Sequence, residues 1–206
     1  MSVADPDWAR MVSESADYAC GVLSAAAGRP QSWDQPAGTL TWPCRRAVAH
    51  AADCCTWYAA LLARRASGDV EVGEVSRQAE PAVLLDALRS GAALLAAVVI
   101  AADPDFVGWH SWGPADATGY AGMGCDEILV HGGDAAAGLG LDYRPPAALC
   151  EAVLRRLFPW VTVGEDPWAD LLAANGRGTP ADPGWKWFTA PPGTWDGSVP
   201  RQPVPG

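Results

Sequence analysis

The sequence predicts an all-α protein: a four-helix bundle with additional C-terminal helices and an extended tail rich in Trp, Pro and Gly. Three observations carry this. Apolar residues recur at three- and four-residue spacing in four long segments, near 5–27, 43–65, 80–102 and 120–139. No run alternates apolar and polar residues as a half-buried strand would. The last thirty residues have neither period, yet keep their aromatics.

The first helix carries Trp8, Met11, Val12, Ala19 and Leu23 on one stripe and stops at Gly28 and Pro30. The second starts at Pro43, a first-turn position where the missing N–H costs nothing, and turns Val48, Ala51, Cys55, Tyr58 and Leu62 inward. A polar linker leads to the third helix. It is apolar nearly all round beyond Arg89, so it is expected to be the most buried element.

The loop "DPDFVGWHSWGPADATGYAGMG" precedes the fourth helix; its length and aromatics point to an ordered, functional segment. A fifth helix follows "RPP", and a shorter sixth, "DPWADLLAANG", stops at Gly176. The expected division is residues 1–176 as the bundle and 177–206 as a tail, held on it by Trp185, Trp187, Phe188 and Trp195.

Half of the 206 residues are hydrophobic and 18% are charged, which suits one globular unit. The net charge of −10 opposes binding to nucleic acid or to an anionic membrane surface. The apolar run 91–102 falls short of the ~20 residues of a membrane span. No cationic stretch followed by an apolar core stands at the N-terminus, so a cytoplasmic protein is expected. Its six cysteines are then free thiols, and none forms a CxxC pair for a structural zinc site.

One stretch carries chemistry. In "DEILVHGGDAAAGLG", Glu127, His131 and Asp134 fall at i, i+4 and i+7, on one helical face. A histidine from a facing helix, His50 in "RRAVAHAADCCTWYA", would complete three ligands and leave positions open, as catalytic zinc sites require. The paired glycines Gly132 and Gly133 each cost ~1 kcal/mol against alanine inside a helix. Either close helix packing or room for a ligand beside His131 would offset that.

The segments "LTWPCRRAVAHAADCCTWYAALLA" and "MGCDEILVHGGDAAAGLGL" resemble the two signature helices of the DinB-like superfamily. The closer resemblance is to the metal-binding N-terminal domain of mycothiol-dependent maleylpyruvate isomerase. It implies a divalent metal, zinc first, held by His50, Glu127 and His131, with mycothiol as the thiol cosubstrate. Asp134 matches as well, and the tail "LLAANGRG…WKWF" is similar to the end of many actinobacterial members. Two features depart from that isomerase: its separate C-terminal domain has no room in 206 residues, and the paired glycines are not the commonest form of the motif. The resemblance therefore implies the metal centre and thiol chemistry rather than maleylpyruvate itself as substrate.

The expected function is a metal-dependent thiol transferase or isomerase acting on a small electrophile. A coordinated thiol is deprotonated and becomes a nucleophile. Asp134 would orient His131 or move a proton. His110, in "VGWHSWG", could act as acid or base from the loop, although a surface histidine is the plainer expectation. Arg46, beside Arg45, could meet an anionic group of the cofactor or substrate. Cys54, one turn after His50, and Cys125, two residues before Glu127, could approach the metal, although small buried cysteines ordinarily serve packing. Nickel, iron or manganese would also suit two imidazoles and a carboxylate. A non-catalytic binding bundle and a zinc-water hydrolase remain the alternatives. The expected partners are a small-molecule substrate and a thiol, without nucleic acid or membrane, and a homodimer could form.

Overall fold

The computed structural model describes residues 6–177 and 186–201. Trp185, assigned above to hold the tail, lies outside the described residues, as does the rest of 178–185 and 202–206. Among the described residues six α-helices form: α1 (Trp8–Leu23), α2 (Cys44–Ala63), α3 (Pro81–Ala101), α4 (Ala117–Leu139), α5 (Ala147–Leu157) and α6 (Pro167–Ala174). The first four make the bundle. α1 and α2 each pack against both α3 and α4, so the ring order is α1–α3–α2–α4, and α5 and α6 cover the outer side of α4. The fold is all-α, as the periodicity predicts.

The ends follow local rules. The Asp7 carboxylate accepts from Arg10 N–H at the start of α1, and Asp116 accepts from Gly119 N–H at the start of α4. Gly140 ends α4 at φ 69°, in the left-handed region where a side chain would be strained. The loop before α4 does contain strand, contrary to the period-based expectation: β1 (Val107–Gly108) pairs antiparallel with β2 (Ala115–Asp116). Two residues are too few for any alternating pattern to show.

The most buried element is α4 and not α3. α4 buries residues on every face, because α1, α2 and α5 surround it. α3 buries Leu84, Leu85, Leu88 and Leu95, but leaves Val83, Leu94 and Ile100 to solvent at 54%, 48% and 77%. Apolar content measures how well a helix tolerates burial, whereas the number of flanking helices decides how much of it occurs. The helix has 21 residues, long and apolar enough by length and composition to cross a membrane, while Leu84, Leu85, Leu88 and Leu95 join the bundle core.

The glycines of α4 serve packing. A Cβ on Gly132 would lie 2.6 Å from the Tyr143 hydroxyl, and one on Gly133 would lie 2.8 Å from the Trp168 ring. The space beside His131 on that side is filled by aromatic side chains, so close packing is the explanation of the two.

The described part of the tail is tied down by backbone and side chain. Arg156, 5% exposed, donates to the carbonyls of Phe188 and Thr189 and pairs with Asp116 at 2.6 Å. Phe188 N–H donates to Leu157 O, and Lys186 Nζ donates to Trp112 O.

Candidate metal centre

α2 and α4 are neighbours in the bundle, and that alone brings His50 to face Glu127 and His131. Glu127 Oε2 lies 3.6 Å from His50 Nε2 and 3.2 Å from His131 Nε2. One ligand atom from each of the three residues can be chosen so that all lie within 4.8 Å of one another. Metal–ligand bonds of about 2.0–2.1 Å in a tetrahedron give edges of about 3.3–3.4 Å. The observed separations bracket that value, and the donor set of two imidazoles and a carboxylate fits a divalent cation.

The surroundings polarise the group. The hydroxyl of Tyr58 donates to Glu127 Oε1 at 3.4 Å. Burial raises the Glu127 carboxyl, but His131 and His50 more than offset this and hold it below its ordinary value. Burial lowers His131, yet Asp134 and Glu127 prevail and hold it at about 9. His50 moves the other way: burial lowers it, against the pull of Glu127.

Asp134 is 4% exposed rather than solvated at the helix end. Its Oδ2 lies 3.2 Å from His131 Nδ1, an electrostatic contact off the line of a formed hydrogen bond. The same oxygen accepts from Arg177 Nη2 at 2.7 Å. A carboxylate therefore fixes the ring of His131 from behind, and an arginine fixes the carboxylate.

Glu127 and His131 border a cavity of about 320 Å³, while His50 lines a neighbouring one of about 470 Å³. Glu127, His131 and Asp126 form the polar side of the first, Trp42, Trp112 and Trp187 its aromatic walls, with Asn175 and Arg177 at one edge. Trp42 stacks on His131 at a centroid distance of 5.8 Å and meets His50 edge-on at 5.2 Å.

Arg46 is exposed and holds its guanidinium 4.1 Å above the outer face of Trp42, so it reaches the site through that indole. His110 is buried at 5% exposure, correcting the expectation of a surface histidine. Its Nδ1 accepts from Trp112 N–H, its ring packs against Trp57 and Tyr58, and burial pushes its pKa down to about 4. It stands behind Tyr58 instead of lining the triad's cavity. Of the two cysteines near the motif, Cys54 Sγ lies 3.5 Å from His50 Nε2, while Cys125 is fully buried beside Ser15.

Sequence reasoning missed Asp126, Asn175, Arg177, Trp42 and Trp112. Asp126 had a signal: two successive acids in an apolar helix point about 100° apart, so a helix enclosed on all sides buries both. It is 1% exposed, and burial pushes its carboxyl up to about 7. The others sit on loops and helix ends, where no period marks them.

A family model described as the mycothiol maleylpyruvate isomerase N-terminal domain matches residues 19–136. The match takes in His50, Glu127, His131 and Asp134 and stops before Arg177 and Trp187. No curated protein and no solved structure matches. Helical bundle, facing donors and a match over more than half of the chain agree: the chain belongs to the mycothiol maleylpyruvate isomerase N-terminal domain family.

Proposed function

We propose that this chain is a metal-dependent S-transferase or isomerase that uses a low-molecular-weight thiol of the mycothiol type on a small electrophilic substrate. One observation carries the reading: His50, Glu127 and His131 converge beside an indole-lined cavity of about 320 Å³. That volume suits a small molecule and not a macromolecule. His50, Glu127 and His131 would hold the cation, with zinc the first choice. A bound divalent cation supplies a lowered thiol pKa, and hence a nucleophile at neutral pH.

The remaining roles belong to the chain's own groups. Asp134 orients His131 and keeps its Nε2 aimed at Glu127. Trp42, Trp112 and Trp187 exclude water and offer flat apolar faces to a substrate. Arg177 puts a cation at the cavity's edge, where an anionic substituent would find it. Arg46 serves the same end from outside Trp42. His110 keeps Tyr58 in place behind Glu127, a structural duty that suits its neutral imidazole. The small-molecule site and the acidic charge favour a cytoplasmic protein with no nucleic-acid partner.

Metal analysis of the purified protein, followed by turnover of a panel of electrophiles with and without thiol, tests the reading. Stoichiometric zinc with thiol-dependent turnover is expected. Turnover that ignores thiol would make the protein a hydrolase, and bound metal without turnover would make it a binding module. Both outcomes reject the proposal.

A further inference from the structure

We infer that the loop between α3 and α4 carries a second small-molecule site, suited to a planar carboxylate and separate from the metal centre. The site uses none of the three donors, so it stands apart from the metal reading.

The loop is pinned at both sides. Trp109 N–H donates to Ala66 O at 3.1 Å, tying the loop to the end of α2, and the Tyr120 hydroxyl of α4 donates to Trp109 O at 2.6 Å. A Cβ on Gly108 would lie 2.8 Å from the Phe106 ring and 2.9 Å from the Tyr120 hydroxyl, so only glycine lets the chain pass there. Between this loop, the turn after α2 and Lys186 of the tail lies a cavity of about 640 Å³. That volume is in the range of small-molecule sites. Phe106, Trp109 and Trp112 give it aromatic surface, while Arg65, Lys186 and His110 give it donors.

Its charge runs against that of the molecule. The chain has a net charge of −10. Asp126 and Glu127 line the cavity beside the triad, and Asp53, Asp69, Glu71 and Glu74 line the one beside His50. The loop cavity is lined by two cations and by no carboxylate. Neither cation is saturated by its neighbours. Lys186 Nζ, with three hydrogens, donates to Trp112 O at 2.7 Å. Arg65, with five, donates to Asp103 at 3.1 Å while its guanidinium lies 4.6 Å above Phe106.

His110 brings a donor in need of an acceptor. It is 5% exposed and lines the cavity. Its Nδ1 accepts from Trp112 N–H at 3.2 Å, so the hydrogen of the neutral ring sits on Nε2. Among the described residues Nε2 makes no hydrogen bond. A largely buried N–H left in that state is costly, and a ligand oxygen relieves it. A carboxylate on a flat, unsaturated body answers to the whole lining. Its oxygens accept from the imidazole and the cations, in bonds that charge strengthens, and its face lies on an indole.

Titration of the full chain with benzoate, and with benzamide as its uncharged counterpart, tests the site. Benzoate should bind saturably in calorimetry, and benzamide at least about 10-fold more weakly. Lys186→Met and Arg65→Gln, shown folded by circular dichroism, should each weaken benzoate about 5-fold or more, since each removes a charged donor. Arg177→Gln, at the edge of the cavity beside Glu127, should leave benzoate affinity unchanged. In nitrogen-15 NMR of the wild type, the His110 Nε2–H signal should shift as benzoate is added, a readout that needs no variant. Equal binding of the two probes, no saturable binding, or a His110 signal that stays still overturns the inference. So does a loss confined to Arg177→Gln, which would put the anion beside the metal centre instead.

Discussion

The indole N–H of Trp187 donates to Asp126 Oδ2 at 3.1 Å, joining the tail to the helix that carries Glu127 and His131. Asp126 Oδ1 accepts from Asn175 Nδ2 at 2.9 Å, so the buried carboxylate depends on two segments that follow the bundle. Removing one partner of a buried acceptor costs about 1–3 kcal/mol. Trp187→Phe should therefore lower the melting temperature by about 3–10 °C for a chain of this size. Calorimetry checks it, and an unchanged transition would mean that the tail rests on α4 without supporting it.

Metal binding should be coupled to proton release. In the metal-free protein His131 titrates at about 9, above its ordinary 6.5, so it is an imidazolium at neutral pH. Its stabilising contact with Glu127 and Asp134 is fully present below 6.5 and is lost as the pH rises through 9. A ligating imidazole must be neutral. Zinc affinity should therefore rise about tenfold per pH unit from 7 toward 9, with close to one proton released from His131 per metal bound. Calorimetry in two buffers of different ionisation heat counts that proton. His131→Ala should abolish both metal and proton release while circular dichroism stays helical, since the helices carry their own apolar faces.

Acid lability should trace to His110. Burial holds its imidazole neutral down to about 4, below the ordinary 6.5 of an unfolded chain. The unfolded state binds the extra proton first. The stability linked to this group is therefore full above 6.5 and is lost as the pH falls toward 4. Between pH 7 and 5 the loss amounts to about 2 kcal/mol. Urea midpoints at the two pH values measure it, and His110→Gln should shrink the difference; an equal difference in the variant would remove His110 as its source.

Gly132→Ala sets two effects against each other. Alanine should gain about 1 kcal/mol of helix propensity. The new methyl would meet Tyr143, whose ring is buried between Tyr18 and Trp168 and has little room to retreat. Overpacking costs about 1–3 kcal/mol, so net destabilisation is expected in equilibrium unfolding. A more stable variant would show that Tyr143 yields.

The legible part of the site was the part that obeys a period. Glu127, His131 and Asp134 share a helix face by spacing alone, and the family resemblance supplied the facing helix with His50. The cavity was not legible. Arg177 and Trp187 come from chain with no repeat, and Trp42 precedes α2, so nothing local marks their meeting. The rank order of burial failed for a different reason. α3 is the more apolar helix, but α4 is the one enclosed, by helices whose positions no single segment encodes.

Ribosomal synthesis runs from His50 to Trp187, and it gives the wall over the cavity a place in time. All three triad donors are polymerised before α5 and α6 exist, and Trp187 comes after both. A nascent bundle can present its donors to the ion pool of the cell with one side still open. Trp187, one of the cavity's aromatic walls, is added later, so the donors are made before that wall is complete.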